Sequence, residues 1–138
     1  MKRIITYMAV ATIVVLAITS CKKSSDIQQP QTAIEKILGI WQLQTLIENS
    51  HFSGADHIYT TSGIASDKFD FRADGRIYYS ISGGKDTVAF NLPSETKILI
   101  DFVNSYDIKT LTANSFIIYK KDMVGASDYD EETITWTK

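Results

Sequence analysis

Two imidazoles and a carboxylate stand close together at His51, Asp56 and His57, a donor set that suits a transition metal. They lie in a Ser- and Gly-bearing stretch without the fixed i, i+4 spacing of a helical metal site. Solvated loop histidines and no metal are expected there. Asp128, Asp130, Glu131 and Glu132 offer the hard oxygens that Ca²⁺ takes, yet lack the Gly-centred spacing of a calcium loop. They read as a solvated acidic turn. Asp67 and Asp70 alternate onto opposite faces of a strand, which argues against a general acid–base pair. No serine or histidine context forms a nucleophile elbow, and Gly83-Gly84 reads as a turn rather than a phosphate cradle. The expectation is a non-enzymatic protein with no cofactor.

Cys21 is the residue with the clearest chemistry, and it is the only cysteine in the chain. Lys2 and Arg3 precede an uncharged, mostly apolar run from Ile4 to Ile18, which ends in Ile18-Thr19-Ser20-Cys21. A positive start, an apolar stretch and small residues before a cut site are the parts of a secretory signal. The last four residues resemble the lipobox of bacterial lipoproteins. That resemblance implies a signal peptide over residues 1–20, a diacylglyceryl group on the Cys21 thiol and a further acyl chain on its new amino terminus. Two or more chains hold a protein stably at a membrane, at ~0.8 kcal/mol per buried CH₂. The alternative is a single membrane-spanning helix, because Ile4 to Cys21 are 18 residues without a charge. Residues 21–31 then read as the lipidated cysteine and a flexible tether, since one aliphatic residue, Ile27, among residues 22–31 cannot nucleate a core. Acidic residues after the cysteine resemble a surface-export signal of such lipoproteins, and Asp26 alone is a weak instance. The expected location is the cell envelope, at the outer membrane, on either its periplasmic or its surface side.

Loss of residues 1–20 would leave 118 residues, with 12 basic against 16 acidic side chains. That length suits one domain with a modest core. The acidic balance lacks the basic face of a nucleic-acid binder. With Cys21 lipidated no disulfide can form, so packing alone must hold the fold.

The elements that would position any site lie in residues 32–138. Thr32-Ala33-Ile34-Glu35 reads as a capping box opening one or two helical turns, with Gly39 placed to end them. Beyond Gly39 the period changes to two: Trp41, Leu43, Thr45 and Ile47 alternate with Gln42, Gln44 and Leu46. Phe69 and Phe71, then Ile77, Tyr79 and Ile81, flank an Ala73-Asp74-Gly75 turn. Val88, Phe90 and Leu92 form the next strand, and Ile98, Ile100 and Phe102 the one after. The phase slips by one between Ile108 and Leu111, which predicts a bulge near Thr110. Phe116 to Tyr119 and a terminal strand with Ile134 and Trp136 follow, and a weaker strand is placed around Ile58 and Tyr59. Eight or nine short strands with tight turns predict an all-β, up-and-down antiparallel meander. Closure into a barrel of about eight strands removes both edges.

Leu38-Gly39-Ile40-Trp41, heading the first strand behind a short helix, resembles the G-x-W signature of lipocalins and other calycins. Phe69-x-Phe71-x-x-Asp74-Gly75, with the late strand Phe116 to Tyr119, is similar to small lipocalin-like lipoproteins of Bacteroidetes. The resemblance spans most of residues 32–138 and implies a lipocalin-like barrel. It makes Gly39 the close-packing start of the barrel wall and Trp41 the plug of its closed end. Lys138 is the basic residue placed to lie over that tryptophan.

Phe71, Tyr79, Phe90, Phe102 and Phe116 fall on the faces assigned inward. An eight-stranded barrel is either filled by its side chains or holds one small ligand. As lining, these five would form an apolar pocket with Tyr79 as a polar handle. Two functions stay open. One is binding of a small apolar or amphipathic ligand. The other is a filled, structural barrel that contacts another envelope component, through an exposed aromatic patch such as Tyr59, Tyr78 and Tyr119.

Overall fold

A computed structural model describes residues 31–138. The signal and tether readings at residues 1–30, Cys21 included, lie outside the described residues. The chain opens with helix α1 (Ala33–Ile37), whose Thr32 and Glu35 form the expected reciprocal capping box. Leu38 caps its end, and Gly39 takes φ +111°, a conformation that L side chains rarely adopt. Nine antiparallel strands follow: β1 (Gly39–Phe52), β2 (Ala55–Ser62), β3 (Lys68–Arg72), β4 (Arg76–Ile81), β5 (Gly84–Ser94), β6 (Lys97–Ile100), β7 (Asn104–Leu111), β8 (Ser115–Met123) and β9 (Tyr129–Thr137).

From β3 to β9 consecutive strands pair as a meander, β1 pairs with β2 and β3, and β9 returns to pair with β1, so the sheet closes into an eight-stranded barrel with one extra strand. The extra strand arises because β2 and β3 share one edge of β1, β2 along Thr45–Phe52 and β3 along Gly39–Gln42. Between them the chain turns through residues 63–67. Gly63 N–H donates to Gln44 O, and a Cβ on Gly63 would clash with the Leu43 carbonyl. Only glycine fits that approach.

Three register shifts interrupt the ladders, one of them between Asn91 and Ser94, and the other two set which side chains enter the barrel. Register shifts by one between Ile108 and Thr110, as the phase slip predicts. A second shift lies between Leu43 and Thr45, where the sequence reads as an unbroken alternation. Gln44 is the extra residue. Beyond it Leu46 turns inward, and Thr45 and Ile47 turn out, reversing their expected faces. A two-for-one bulge leaves no mark on a strand already carrying apolar residues at both phases.

The strands leave the barrel with unlike ends. At one end lie α1 and the turns at residues 73–75, 95–96 and 112–114, all polar or small. Lys138 closes this end: its Nζ sits 4.4 Å above the Trp41 ring and donates to Lys36 O and Leu38 O. Trp41 is fully buried and donates from Nε1 to Ile37 O. At the other end the turns carry exposed Phe52, Phe102, Val103, Met123 and Val124.

Candidate functional site

The closed half of the barrel is solid. Phe71 meets Phe90, Phe116 and Trp136 edge-on, with ring centroids 5.3, 5.7 and 6.1 Å apart. Phe116 stacks on Trp136 at 5.0 Å and tilts against Trp41 at 5.5 Å. Each such pair adds ~0.5–1.5 kcal/mol beyond burial. Phe71, Phe90 and Phe116, expected as pocket lining, therefore sit in this core, each at most 5% exposed.

The open half is hollow. A cavity of about 350 Å³ opens toward the apolar turns. Its wall is Leu46, Phe69, Ile77, Tyr79, Val88, Ile100 and Ile134, and it also touches Leu43, Ile81 and Trp136. Its polar groups are Asp101, Asn104, Tyr106 and Glu132. Of the five expected lining residues only Tyr79 is among them, stacked on Phe69 at 5.5 Å. Phe102 is corrected outright: β6 stops at Ile100, the chain turns at Asp101 and Phe102 with φ of 55° and 59°, and the Phe102 ring is 70% exposed. Two residues in left-handed conformation break the period that placed it inside.

Sequence reasoning missed most of the lining. Leu46 was hidden by the bulge at Gln44, and Ile134, Val88 and Ile100 carry no signal that separates wall from core. Tyr106 of β7 and Glu132 of β9 meet inside the barrel across β8, which lies between their strands. Tyr106 Oη donates to Glu132 Oε2 at 3.1 Å, and burial, then the Glu132 charge, pushes the phenol's pKa well above its ordinary value. Lys120 Nζ lies 3.6 Å from the same carboxylate and 3.3 Å from Asp122. Burial also raises the Tyr79 phenol, with Asp86 adding to it.

The other candidate groups do structural work. His51 Nδ1 lies 2.7 Å from Asp56 and the ring stacks on Tyr129 at 4.8 Å. His57 faces away from Asp56 by strand alternation. Asp128 accepts from Ser53 N–H and ties two turns of the open end together. Among the described residues no three His, Cys, Asp or Glu side chains are grouped to hold a metal. Asp67 is 3% exposed and accepts from Ile64 N–H at 2.9 Å and Ser82 N–H at 2.8 Å, which lowers its pKa. Asp70 pairs instead with Arg72 at 2.7 Å. Tyr59 is exposed and shares the face of Glu48, whereas Tyr78 and Tyr119 face outward on β4 and β8, under Arg72 and bonded to Glu131, so these three form no common patch.

The fold defines an eight-stranded, up-and-down antiparallel barrel, compatible with a lipocalin-like fold. Compared with family models and with curated proteins, the chain finds no match.

Proposed function

We propose that this protein is a lipid-anchored cell-envelope lipoprotein, held at the outer membrane through Cys21, whose barrel binds a small apolar or amphipathic ligand. The cavity in the open half carries this reading. It lies within the size range of small-molecule sites, and it has the mostly apolar wall with a few convergent polar groups that such sites use. The reading needs no catalytic step and no cofactor.

The neutral, environment-sensitive dye N-phenyl-1-naphthylamine tests the binding role on the full chain. One saturable site is expected, lost in Val88→Trp, which fills the cavity from its wall. Uptake that Val88→Trp leaves unchanged would refute the reading. Anchoring is tested separately. Cys21→Ala should abolish fatty-acid labelling and cleavage before residue 21, and a variant that still takes up label refutes the anchor.

The second reading, an interaction lipoprotein, draws on Phe52, Phe102, Val103, Met123 and Val124, exposed at one end of the barrel. Apolar side chains gathered at one end mark contact surfaces. It predicts no saturable dye site, and loss of a partner when Phe102 and Val103 are made polar.

A further inference from the structure

Six acids stand among the inward-facing residues near the mouth, beside Ser50, Ile81 and Asn104. Glu132 and Asp101 touch the cavity directly. Glu48 pairs with Glu132 across β1 and β9, and Asp130 lies one inward position further toward the mouth. Asp122 stands opposite Asp130, and Asp86 opposite Tyr79. Residues directly paired across strands share a face, so these six carboxylates form a collar around the opening. The base on the same face is Lys120, shared between Asp122 and Glu132. Glu48, Asp86, Asp101 and Asp130 have no cation within 4.0 Å among the described residues.

One feature points to a ligand independently of this charge, the apolar cavity beneath the collar. Like charges at a narrow mouth repel one another and an anionic head alike, and they concentrate cations.

We infer that the ligand is a cationic amphiphile, whose apolar body fills the cavity and whose ammonium or guanidinium group lies among the collar carboxylates. The inference rests on the ligand-binding reading and adds the sign of the head group. At ~30 Å³ per water-sized group the cavity holds about a dozen such groups, which fits a chain of about ten carbons.

The test displaces N-phenyl-1-naphthylamine from the full chain with decyltrimethylammonium, decanol and decyl sulfate, each below its micelle-forming concentration, with Val88→Trp as the blank. Decyltrimethylammonium should bind about tenfold more tightly than decyl sulfate at low salt, as expected for two partly solvated charge contacts. The ratio should shrink toward one at ~1 M salt, where the Debye length is ~3 Å. Glu48→Gln with Asp130→Asn should cut the low-salt ratio about fivefold. Decanol binding with no preference between the charged probes, or a preference for the sulfate, overturns the inference and leaves the binding reading standing. No displacement by any of the three overturns both.

Discussion

Trp41→Ala tests the closed end of the barrel, where three contacts converge on one side chain. The indole is fully buried, packs on Phe116, donates to Ile37 O at 2.6 Å and lies beneath the Lys138 ammonium. Truncating a buried tryptophan costs about 3–5 kcal/mol through lost transfer energy and the cavity left behind. The cost should fall at the upper end here. The floor cannot collapse while Lys138 pins α1 to the end of β9, and Ile37 O loses a buried donor. In a domain of about this size each kcal/mol moves Tm by roughly 4–8 °C, so a drop of about 15–40 °C is expected. Trp41→Phe keeps the ring contact and loses the donor, and should cost about 1–3 kcal/mol. Urea unfolding of the full chain, followed by circular dichroism, measures both. A Trp41→Ala cost under about 1 kcal/mol would refute the plug and the argument that reads this end as rigidly closed.

Gln42, one residue along and on the outer side, looks dispensable by alternation, yet its Nε2 donates to Asp67 O at 2.9 Å and to Ile64 O. Gln42→Ala should therefore cost about 1 kcal/mol rather than nothing, read from the same urea curves. Asp67 holds the turn at residues 63–67 through two backbone N–H groups that lower its pKa below the ordinary 3.8. Its contribution is complete above that ordinary value and is lost as pH falls through the lower, folded-state value. Acid unfolding below pH ~4 should be shallower in Asp67→Asn than in the parent, and an identical acid limb would exclude this role. Phe102→Ser, at a ring 70% exposed, should change stability by less than about 0.5 kcal/mol. A loss of several kcal/mol would put the ring back in the core.

The closed meander, the capping box and the turn at Gly75 were legible because each is a local signal: a period, a spacing, a residue type. The bulge near Thr110 was legible because Ile108 and Leu111 cannot share a face without one. The bulge at Gln44 was not, because Leu43, Leu46 and Ile47 satisfy either phase, and only pairing with β9 decides between them. Phe102 misled for a related reason. Ile98, Ile100 and Phe102 keep a strand's period, whereas the backbone turns away after Ile100. The cavity depends on how deep each side chain lies along the barrel, a quantity that alternation alone does not carry.

Depth does become readable once register is known. From floor to mouth, the inward residues of β9 are Trp136, Ile134, Glu132 and Asp130. Those of β8 run Phe116, Ile118, Lys120 and Asp122, and they lie opposite the β9 series layer by layer. In β1 the order is Trp41, Leu43, Leu46 and Glu48, and in β5 it is Phe90, Val88 and Asp86. All four strands step from aromatic to aliphatic to charged, β1 one layer earlier than β9, since Leu43 already lies opposite Trp136. Strand number and shear fix the radius of a barrel, so the interior does not narrow to follow smaller side chains. The aromatic layer fills that radius. The layer above it, aliphatic on these four strands, falls short and leaves the cavity. The charged layer cannot move in to close it, because an unpaired carboxylate loses more in hydration than it gains in contact. A hollow upper half with an acidic mouth is thus a consequence of side-chain order along four strands.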